Sequence, residues 1–369
     1  MTRTASWLLR QRLHNQHLDR ARLRSAADVV AHFGAVQSQD YAGARWAVGQ
    51  RMARATDADI ERAFDAGEIL RTHVLRPTWH FVAPADIRWI LGLSGPRVHA
   101  GNALYYRRNG LDPRTLTRAR KVIERALGDG HPLTRTELAS ALARARIPAS
   151  GERLAYVMMH NELDGVICSG PRRGKQFTYA LLDARAPRVR PVLRAEALAL
   201  LTRRYFTSHG PATVRDFAWW SGLRMADART GVEMLGTDLT TEDIGGLQYC
   251  CLRDQAGADG AIAGALLLPN YDEFLIAYRD REIWSDGSRR KPRGPDRFPY
   301  HLLVDGRLAG SWRPVIARSS VKIEIATYDS PTAKTRRAIG DAVERYGAFI
   351  GRPLVFFVRG MASRRGPAC

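Results

Sequence analysis

Apolar residues along the chain fall into helical and strand-like spacings, in an order that occurs three times. The first copy has two helix starts with Ser/Thr-x-x-Asp capping patterns, at residues 25–28 and 56–59, each followed by apolar residues at helical spacing. The first of these helices carries its apolar face through Val36 and is predicted to end within residues 35–40. The β-rich residues 69–82 then predict a two-stranded hairpin.

The second and third copies repeat this order of elements. The second has a Thr-x-x-Glu capping box, a further helix and a strand–turn–strand segment, at residues 134–137, 152–163 and 166–182. The third has a helix start, a further helix and a hairpin with a Gly-Gly turn, at residues 213–216, 225–235 and 239–252. Two helices followed by a hairpin are the plan of a winged helix, in which a helix faces a DNA groove and the hairpin contacts the backbone. Three copies predict tandem winged helices that bind DNA; tandem winged helices that serve only as protein-interaction modules are the alternative.

Strand patterns dominate after about residue 262. Residues 265–280 contain an apolar run on each side of a Pro-Asn turn, and residues 321–325 alternate apolar and charged side chains. A helical pattern over residues 332–350 precedes a final apolar strand. We therefore predict an α+β protein in which three tandem winged-helix motifs are followed by a β-barrel-like domain. The predicted parts are the first winged helix, a helical connector, two further winged helices and the barrel-like domain, at residues 1–95, 96–132, 133–186, 187–261 and 262–369.

The balance of charge indicates a partner for this fold. The 369 residues include 57 Lys and Arg against 37 Asp and Glu, a net charge of +20, and only five of the basic residues are lysine. Arginine binds phosphate groups in a bidentate manner, so the expected partner is a polyanion such as double-stranded DNA. Candidate phosphate contacts lie in the first two hairpins and in the basic segment of residues 279–299: Arg71, Arg76, Arg172, Arg173, Lys175, Arg289, Arg290, Lys291 and Arg293. For the basic segment two interpretations stay open, a solvated connecting loop or a finger that reaches into DNA.

Several functional classes find no support in the sequence. The chain has no run of about 18 apolar residues, no apolar signal-peptide core near its start and no basic amphipathic helix with a wide apolar face. We therefore expect a cytoplasmic protein that does not bind membranes. The four cysteines show no C-x-x-C or Cys/His spacing, which predicts neither a disulfide framework nor a bound metal, and no cofactor is expected. The motifs G-x-S-x-G, G-x-G-x-x-G after a strand and H-E-x-x-H are absent, which argues against a peptidase or an oxidoreductase.

Two glutamines one residue apart, Gln37 and Gln39, stand in the segment Ala-Val-Gln-Ser-Gln-Asp at residues 35–40. In a continuous helix Gln37 lies within the apolar arc and Gln39 lies roughly 160° away, so the side chains converge only if the helix ends near Ser38. A buried glutamine needs several hydrogen-bond partners, which predicts that Gln37 borders a polar cleft or a water. A pair bonded to the backbone at a helix end is the alternative. Asp40 also falls within the apolar arc, and a capping or buried hydrogen-bonding role is expected for it.

Four segments resemble one known family, in the right order and over most of the chain. They are AVQSQD, RPTWHFV, LLPNYDEFLIAYRDR and LVDGRLAGSWRP, at residues 35–40, 76–82, 267–281 and 303–314. These segments resemble the winged-helix DNA glycosylases of the AlkZ/YcaQ type. The resemblance implies three tandem winged helices, a C-terminal β-barrel and a catalytic Gln-hydrophobic-Gln or Gln-hydrophobic-Asp motif, whose two polar positions match Gln37 and Gln39. Ser38 departs from the aliphatic residue that is usual between them.

The implied activity is hydrolysis of the N-glycosidic bond of an N7-alkylated purine in double-stranded DNA, including a crosslinked guanine. We expect the enzyme to be a monomer. A role in resistance to a DNA-alkylating antibiotic such as azinomycin is implied as well. Guanine alkylated at N7 is cationic and leaves readily, so two amides that position a water suffice where an undamaged nucleoside would need a carboxylate. No lysine lies near the motif, which predicts a monofunctional hydrolase without a Schiff-base step. An interstrand crosslink blocks base extrusion, so the enzyme is expected to reach the bond with the base still stacked.

Three points of this interpretation stay open in the sequence. His80 assists the glutamines if it points into their cleft, whereas packed or backbone-bonded side chains are the alternative for both His73 and His80. Asp40 is the nearest other base. A winged-helix transcriptional regulator without catalysis is the strongest rival function, because glutamine is not a diagnostic catalytic residue.

Overall fold

The computed structural model describes residues 4–360, apart from residues 256, 259–261, 263, 281, 285–299, 318 and 319. Four residues of the predicted basic finger lie outside the described residues: Arg289, Arg290, Lys291 and Arg293. Both interpretations of that segment therefore stay predictions. No helix in the described ranges is both long and apolar enough to cross a membrane. The described elements combine helices with several small sheets, which gives a mixed α and β fold.

The first part of the chain contains four helices and a three-stranded sheet. The helices are α1 (Ala5–Asn15), α2 (Ala26–Phe33), α3 (Tyr41–Gly49) and α4 (Asp57–Ala66). The strands are β1 (Val36–Gln37), β2 (Leu70–Val74) and β3 (Thr78–Val82), in the order β1-β3-β2. Reciprocal capping boxes begin α2 at Ser25 and α4 at Thr56, so both predicted helix starts are confirmed, as is the hairpin.

The predicted end of α2 is wrong by several residues. The helix ends at Phe33 because Gly34 has a φ of +78°, a conformation that glycine adopts without steric cost and that often follows the last turn of a helix. The chain then becomes extended and forms β1, which pairs antiparallel with β3. Residues 35–40 are therefore a strand and its exit rather than the end of a helix. Helix α3, which the sequence analysis did not predict, begins directly after them.

The middle of the chain has two connecting helices and the second helix–helix–hairpin unit. The helices are α5 (Ile87–Arg108), α6 (Pro113–Ala126), α7 (Arg135–Arg144), α8 (Gly151–Leu163) and the short α9 (Leu182–Arg185). The strands are β4 (Leu133–Thr134), β5 (Ile167–Ser169) and β6 (Thr178–Leu181), in the order β4-β6-β5. The predicted capping box forms at Thr134, and the unit packs around its own apolar core, which includes Leu138, Leu142 and Val157.

The third unit repeats the same order of elements. It consists of α10 (Arg194–His209), α11 (Val214–Ser221), α12 (Met225–Leu235) and the hairpin β7 (Leu239–Ile244) and β8 (Leu247–Leu252). The hairpin turn contains Gly245 and Gly246, whose φ angles of +63° and +77° suit a two-residue turn between twisted strands. The predicted helix start at residues 213–216 and the predicted hairpin are both confirmed.

The C-terminal part forms one five-stranded sheet with a long helix. Its elements are β9 (Ala265–Leu268), α13 (Glu273–Ile276), β10 (Tyr300–Val304), β11 (Arg307–Ile316), β12 (Val321–Thr327), α14 (Ala333–Ile350) and β13 (Leu354–Gly360). The order β13-β12-β11-β10-β9 is linear, so the described strands form an open sheet and not the predicted barrel. The apolar run after the Pro-Asn turn forms the short helix α13 rather than a second strand.

A shared apolar core fixes this sheet against the first part of the chain. Trp46 of α3 contacts Tyr346 of α14 edge to face, with ring centroids 5.1 Å apart, and Tyr346 contacts Trp312 of β11 at 5.0 Å. The indole nitrogen of Trp46 also donates to the backbone oxygen of Leu267 in β9, at 2.6 Å. These contacts bring the turn between β9 and α13 next to residues 35–40.

Candidate active site

The two glutamines of residues 35–40 lie on an extended segment at the edge of the first sheet. Gln37 pairs with His80 of β3, and the backbone N–H of Ser38 donates to the carbonyl of Trp79 at 2.8 Å, so the chain remains extended beyond β1. Gln37 thus lies in β1, whereas Gln39 stands at the bend that follows the strand, instead of both lying at the end of a helix.

Gln37 is held by its backbone and leaves its side-chain oxygen free. Its N–H donates to Oε1 of Glu273 at 2.7 Å, and the residue is 6% exposed. Oε1 of Gln37 is buried and has no protein hydrogen-bond partner among the described residues. Because buried amide oxygens in proteins nearly always accept a hydrogen bond, this atom is an acceptor suited to a water or a substrate group.

Gln39 and Asp40 complete the segment in different ways. Gln39 is exposed, and its Oε1 accepts the N–H of Trp79 at the long distance of 3.5 Å. Asp40 is the N-cap of α3, where it accepts from the N–H of Gly43 at 3.1 Å and from the hydroxyl of Tyr300. A Cβ at Gly43 would lie 2.7 Å from a carboxylate oxygen of Asp40, so this position requires glycine. Asp40 thus has the capping role that the sequence favoured for it.

Arg71 holds the glutamine motif, residues 37–39, by hydrogen bonds to its backbone. Its Nε and Nη2 donate to the carbonyl oxygen of Ser38 at 3.2 and 3.1 Å, and its guanidinium lies 4.3 Å from the ring centroid of Trp79 and 4.7 Å from that of Phe177. Burial lowers the pKa of Arg71 to about 10, which leaves it charged at neutral pH. Its backbone N–H donates to Oγ of Ser169 at 2.8 Å. Arg71 therefore ties the motif to the second unit, and these donors point into the protein.

Trp79 is positioned by a buried acid that the sequence analysis did not single out. Glu162 of α8 accepts from Nδ1 of His73 at 2.6 Å and from the indole nitrogen of Trp79 at 3.4 Å. The rings of His73 and Trp79 lie 4.4 Å apart. His73 is therefore a packed and hydrogen-bonded histidine, and its partner Glu162 helps to fix the residue that contacts Gln39.

His80 lies beside Gln37 in a row of polar side chains. The row runs across the sheet from Gln37 through His80 to Thr72. Nδ1 of His80 contacts the carbonyl of Thr78 at 2.9 Å, whereas its Nε2 and the hydroxyl of Thr72 are buried without a protein partner in the described ranges. Burial lowers the pKa of His80 to about 4, so the imidazole is neutral at pH 7 and can hydrogen-bond without adding positive charge.

The burial of His80 predicts a pH dependence of stability. The unfolded chain binds a proton at this side chain near pH 6.5, whereas the folded state does so only near pH 4. The stability that His80 contributes is therefore present above pH 6.5 and lost as the pH falls toward 4. Urea titrations at pH 7 and pH 4.5 should show a loss of unfolding free energy about 2 kcal/mol larger for the wild type than for His80→Gln. Equal losses for the two proteins would contradict the assigned burial.

Glu273 of α13 connects the motif to the third unit. Besides the N–H of Gln37, its carboxylate accepts from the indole nitrogen of Trp220 at 2.9 Å and lies 3.3 Å from Nε2 of His209. Burial alone raises the pKa of Glu273, but the bonds from His209 and Gln37 outweigh it and hold the pKa below its usual value. Burial also lowers the pKa of His209. Only the polar pair Asp272–Glu273 inside an apolar run could have indicated this residue in the sequence.

The basic residues predicted to contact DNA fall into two groups. Arg71 and Arg172 are largely enclosed; Arg172 donates to Glu61 at 2.9 Å and lies over the rings of Tyr41 and Phe177. Arg173 is more exposed, with 54% of its side chain accessible, and pairs with Glu137 at 2.7 Å. The remaining two, Arg76 and Lys175, stand on hairpin turns. Lys175 is exposed, and the guanidinium of Arg76 lies 5.9 Å from the ring centroid of Trp219.

The segment that carries the glycosylase resemblance thus holds a buried, unpartnered amide at Gln37 and an exposed one at Gln39. The family model described as DNA glycosylase AlkZ-like matches residues 30–349, which include the motif. The chain belongs to the AlkZ-like family of DNA glycosylases. It is accordingly a DNA glycosylase, and the enzyme class expected from the sequence is confirmed.

Two comparisons, each with a protein of Streptomyces sahachiroi, agree with this assignment. The chain is 26% identical over 366 residues to a protein described as an interstrand DNA cross-link repair glycosylase, with 94% of this chain and 96% of the relative covered. The solved structure described as Streptomyces sahachiroi DNA glycosylase AlkZ matches with a TM-score of 0.79 at 22% identity, covering 97% of this chain and 100% of that one. The AlkZ-like fold therefore extends over nearly the whole chain.

Proposed function

We propose that this AlkZ-like protein is a monofunctional glycosylase that hydrolyses the N-glycosidic bond of N7-alkylated purines, with Gln37 and Gln39 as its catalytic residues. The observation that carries the proposal is the buried Oε1 of Gln37, which has no protein partner in the described structure, with the exposed Gln39 two residues further along the chain. An acceptor of this kind can hold a water by one of its protons. Gln39 is exposed and contacts the same water from the side that faces the substrate.

Amides suffice for this reaction because the leaving group is already activated. N7-alkylation makes guanine cationic, so the glycosidic bond breaks with little help and the transition state resembles an oxocarbenium ion. Two carbonyl oxygens align the water for attack at C1′ and present partial negative charge to the sugar. The water gives its proton to solvent or to the departing base. Undamaged DNA, whose bases leave poorly, gains little from amides alone, and this difference supplies selectivity.

The rest of the chain supplies the surface that binds DNA. The three helix–helix–hairpin units are interpreted as tandem winged helices, with the hairpin turns directed to the phosphate backbone. Arg76, Arg173 and Lys175 stand on or beside two of these turns. The pair of Arg173 with Glu137 is exposed at both ends, so it contributes little to stability and can exchange for a phosphate. Arg71 and Arg172 are assigned instead to positioning the motif and packing the first two units together.

The substrate class extends to crosslinked guanines. The S. sahachiroi relative is described as an interstrand DNA cross-link repair glycosylase. The exposed position of Gln39 supports an approach to a base that stays stacked, because a crosslinked base cannot be turned into a deep pocket. Resistance to a DNA-alkylating antibiotic such as azinomycin follows if the enzyme removes that lesion in the cell.

The test is the release of free base from a defined duplex. We expect the protein to convert an oligonucleotide with one 7-methylguanine into a duplex with an abasic site and free 7-methylguanine, above the spontaneous rate. A duplex with a stable N7-linked interstrand crosslink should be separated in the same way. A protein that binds both duplexes tightly and releases no base from either would be a DNA-binding regulator, and the proposed substrate class would be wrong.

Binding to undamaged duplex should be dominated by phosphate contacts. The logarithm of the association constant is expected to fall with the logarithm of salt concentration with a slope of several units, because each phosphate contact contributes about 0.9. The double variant Arg173→Ala/Lys175→Ala should reduce that slope by roughly 2. Lys334→Ala, which removes an exposed lysine of α14, should leave it unchanged. A wild-type slope near one, measured by fluorescence anisotropy, would mean that the positive charge faces away from DNA.

A further inference from the structure

Two histidines and an aspartate meet between α5 and α8, away from the glutamines. His99 of α5 faces His160 and Asp164. His160 lies in α8 and Asp164 is the C-cap of that helix, four residues later, so the two side chains lie on the same face of α8. Nε2 of His99 lies 3.0 Å from Oδ1 of Asp164, and Nδ1 of His160 lies 3.4 Å from Oδ2. One ligand atom from each residue lies within 4.8 Å of the others, and the two imidazole centroids are 4.7 Å apart.

The surroundings of this cluster match those of a metal-binding histidine. The hydroxyl of Tyr106 bonds Nδ1 of His99 at 2.8 Å, which leaves Nε2 directed to Asp164. Metal-bound histidines almost always have their second nitrogen fixed by such a partner. Nδ1 of His160 is buried and, apart from the carboxylate of Asp164 at 3.4 Å, which is not aligned for a hydrogen bond, has no partner in the described residues. His99 and Asp164 also line a cavity of about 320 Å³, through which solvent reaches the cluster.

We propose that His99, His160 and Asp164 form a binding site for a divalent transition metal, with zinc as the ion that fits the ligands best. Two imidazole nitrogens and one carboxylate oxygen are a common zinc ligand set, and a water from the cavity takes the fourth position. Bonds of about 2.0–2.1 Å in a tetrahedral site place the ligand atoms about 3.3 Å apart, so the observed cluster needs only small side-chain movements to close on an ion. This site revises the sequence-based expectation that no metal is bound, which considered cysteine spacings.

The metal would act as a clamp between the first two units. It joins α5, which follows the first hairpin, to α8, which carries Glu162 under Trp79. Asp164 follows Glu162 by two residues, so a bound ion fixes the end of the helix that positions Trp79. The site does not contact the glutamines, and its role is structural.

Zinc binding to the purified protein tests the site directly. We expect one equivalent of zinc, with a dissociation constant of about 1 µM or tighter in competition with a chromophoric chelator. His99→Asn, His160→Gln and Asp164→Asn should each weaken binding at least about 100-fold, and Tyr106→Phe should weaken it about tenfold. His14→Asn is the matched control, because His14 also pairs with an aspartate, Asp19, at 2.9 Å but lacks the further ligand. It should bind zinc like the wild type.

Two further measurements protect this test against a variant that fails to fold. Cobalt bound to the wild type should give visible bands typical of a four- or five-coordinate site with nitrogen and oxygen ligands. Zinc should raise the thermal unfolding temperature of the wild type and of His14→Asn but not of His99→Asn. Unchanged zinc affinity in all three ligand variants, or no binding to the wild type below about 100 µM, would overturn the proposal.

Discussion

Replacing Gln37 with alanine is expected to lower the single-turnover rate of base excision from a 7-methylguanine duplex by about 10²-fold or more. In the proposed mechanism the buried Oε1 of Gln37 accepts a hydrogen bond from the attacking water, and alanine has no acceptor to replace it. The variant keeps the hydrogen bond from the backbone N–H of residue 37 to Glu273, since the substitution does not change the backbone. Affinity for duplex DNA should therefore stay close to that of the wild type. The rate is measured by base release with enzyme in excess over substrate.

Gln11→Ala is the matched control for that variant. Gln11 is also a buried glutamine, at 4% exposure, and its amide nitrogen donates to Asn15 at 3.1 Å within α1. Its loss costs folding energy but leaves the excision rate of the folded protein unchanged. An excision rate of Gln37→Ala within about twofold of that of Gln11→Ala would remove Gln37 from the catalytic site.

The second large effect is expected at Glu273. Replacing this carboxylate with alanine leaves the indole N–H of Trp220 and the backbone N–H of Gln37 without their acceptor in a fully buried place. Removing one member of a buried charged network costs about 3–5 kcal/mol, which urea titration should show as a loss of unfolding free energy. Excision at a temperature where the variant is folded should fall as well, because β1 loses the contact that fixes Gln37.

Two variants distinguish the loss of the hydrogen bonds of Glu273 from a general effect of removing an acidic residue. Glu233→Ala removes an exposed glutamate of α12 and should change stability by no more than about 0.5 kcal/mol. Glu273→Gln keeps one acceptor oxygen and should lose less stability than Glu273→Ala. If Glu273→Ala were as stable as Glu233→Ala, the carboxylate would not hold the motif.

Local signals in the sequence were sufficient for most helix starts and hairpins. The capping boxes at Ser25, Thr56, Thr134 and Thr213 all form, because a cap depends on residues within one turn of helix. The end of α2 was missed for a reason that is also local. The apolar residue Val36 continued the helical spacing, so the predicted end lay within residues 35–40, yet Gly34 ends the helix at Phe33.

Long-range pairing accounts for what the sequence did not predict. Strand β1 exists because Val36 and Gln37 pair with residues more than 40 positions away in β3, and a two-residue strand has no pattern of its own. The anchor of Gln37 comes from Glu273, 236 positions along the chain. The sequence also could not show whether the C-terminal sheet closes into a barrel. The alternation of apolar and polar residues indicates which face of a strand is buried, but not which strands become neighbours. The two glutamines were identified by the resemblance, and their placement in and directly after a strand was visible only in the structure.

In the proposed mechanism two amides, which do not titrate, position the water in place of a carboxylate or histidine base. The pH dependence of the single-turnover excision rate between pH 5.5 and 8.5, with spontaneous depurination subtracted, tests it most directly for the wild type and Gln39→Asp. We expect a flat profile for the wild type, because neither Gln37 nor Gln39 ionises in this range. Gln39→Asp should retain activity across this range and lose it only when the profile is extended below about pH 5, since protonation of a carboxylate, whose ordinary pKa is about 3.9, removes its charge and turns one acceptor oxygen into a donor. A wild-type rate that falls tenfold per pH unit at low pH would show that a titrating base carries the reaction and would contradict the amide mechanism.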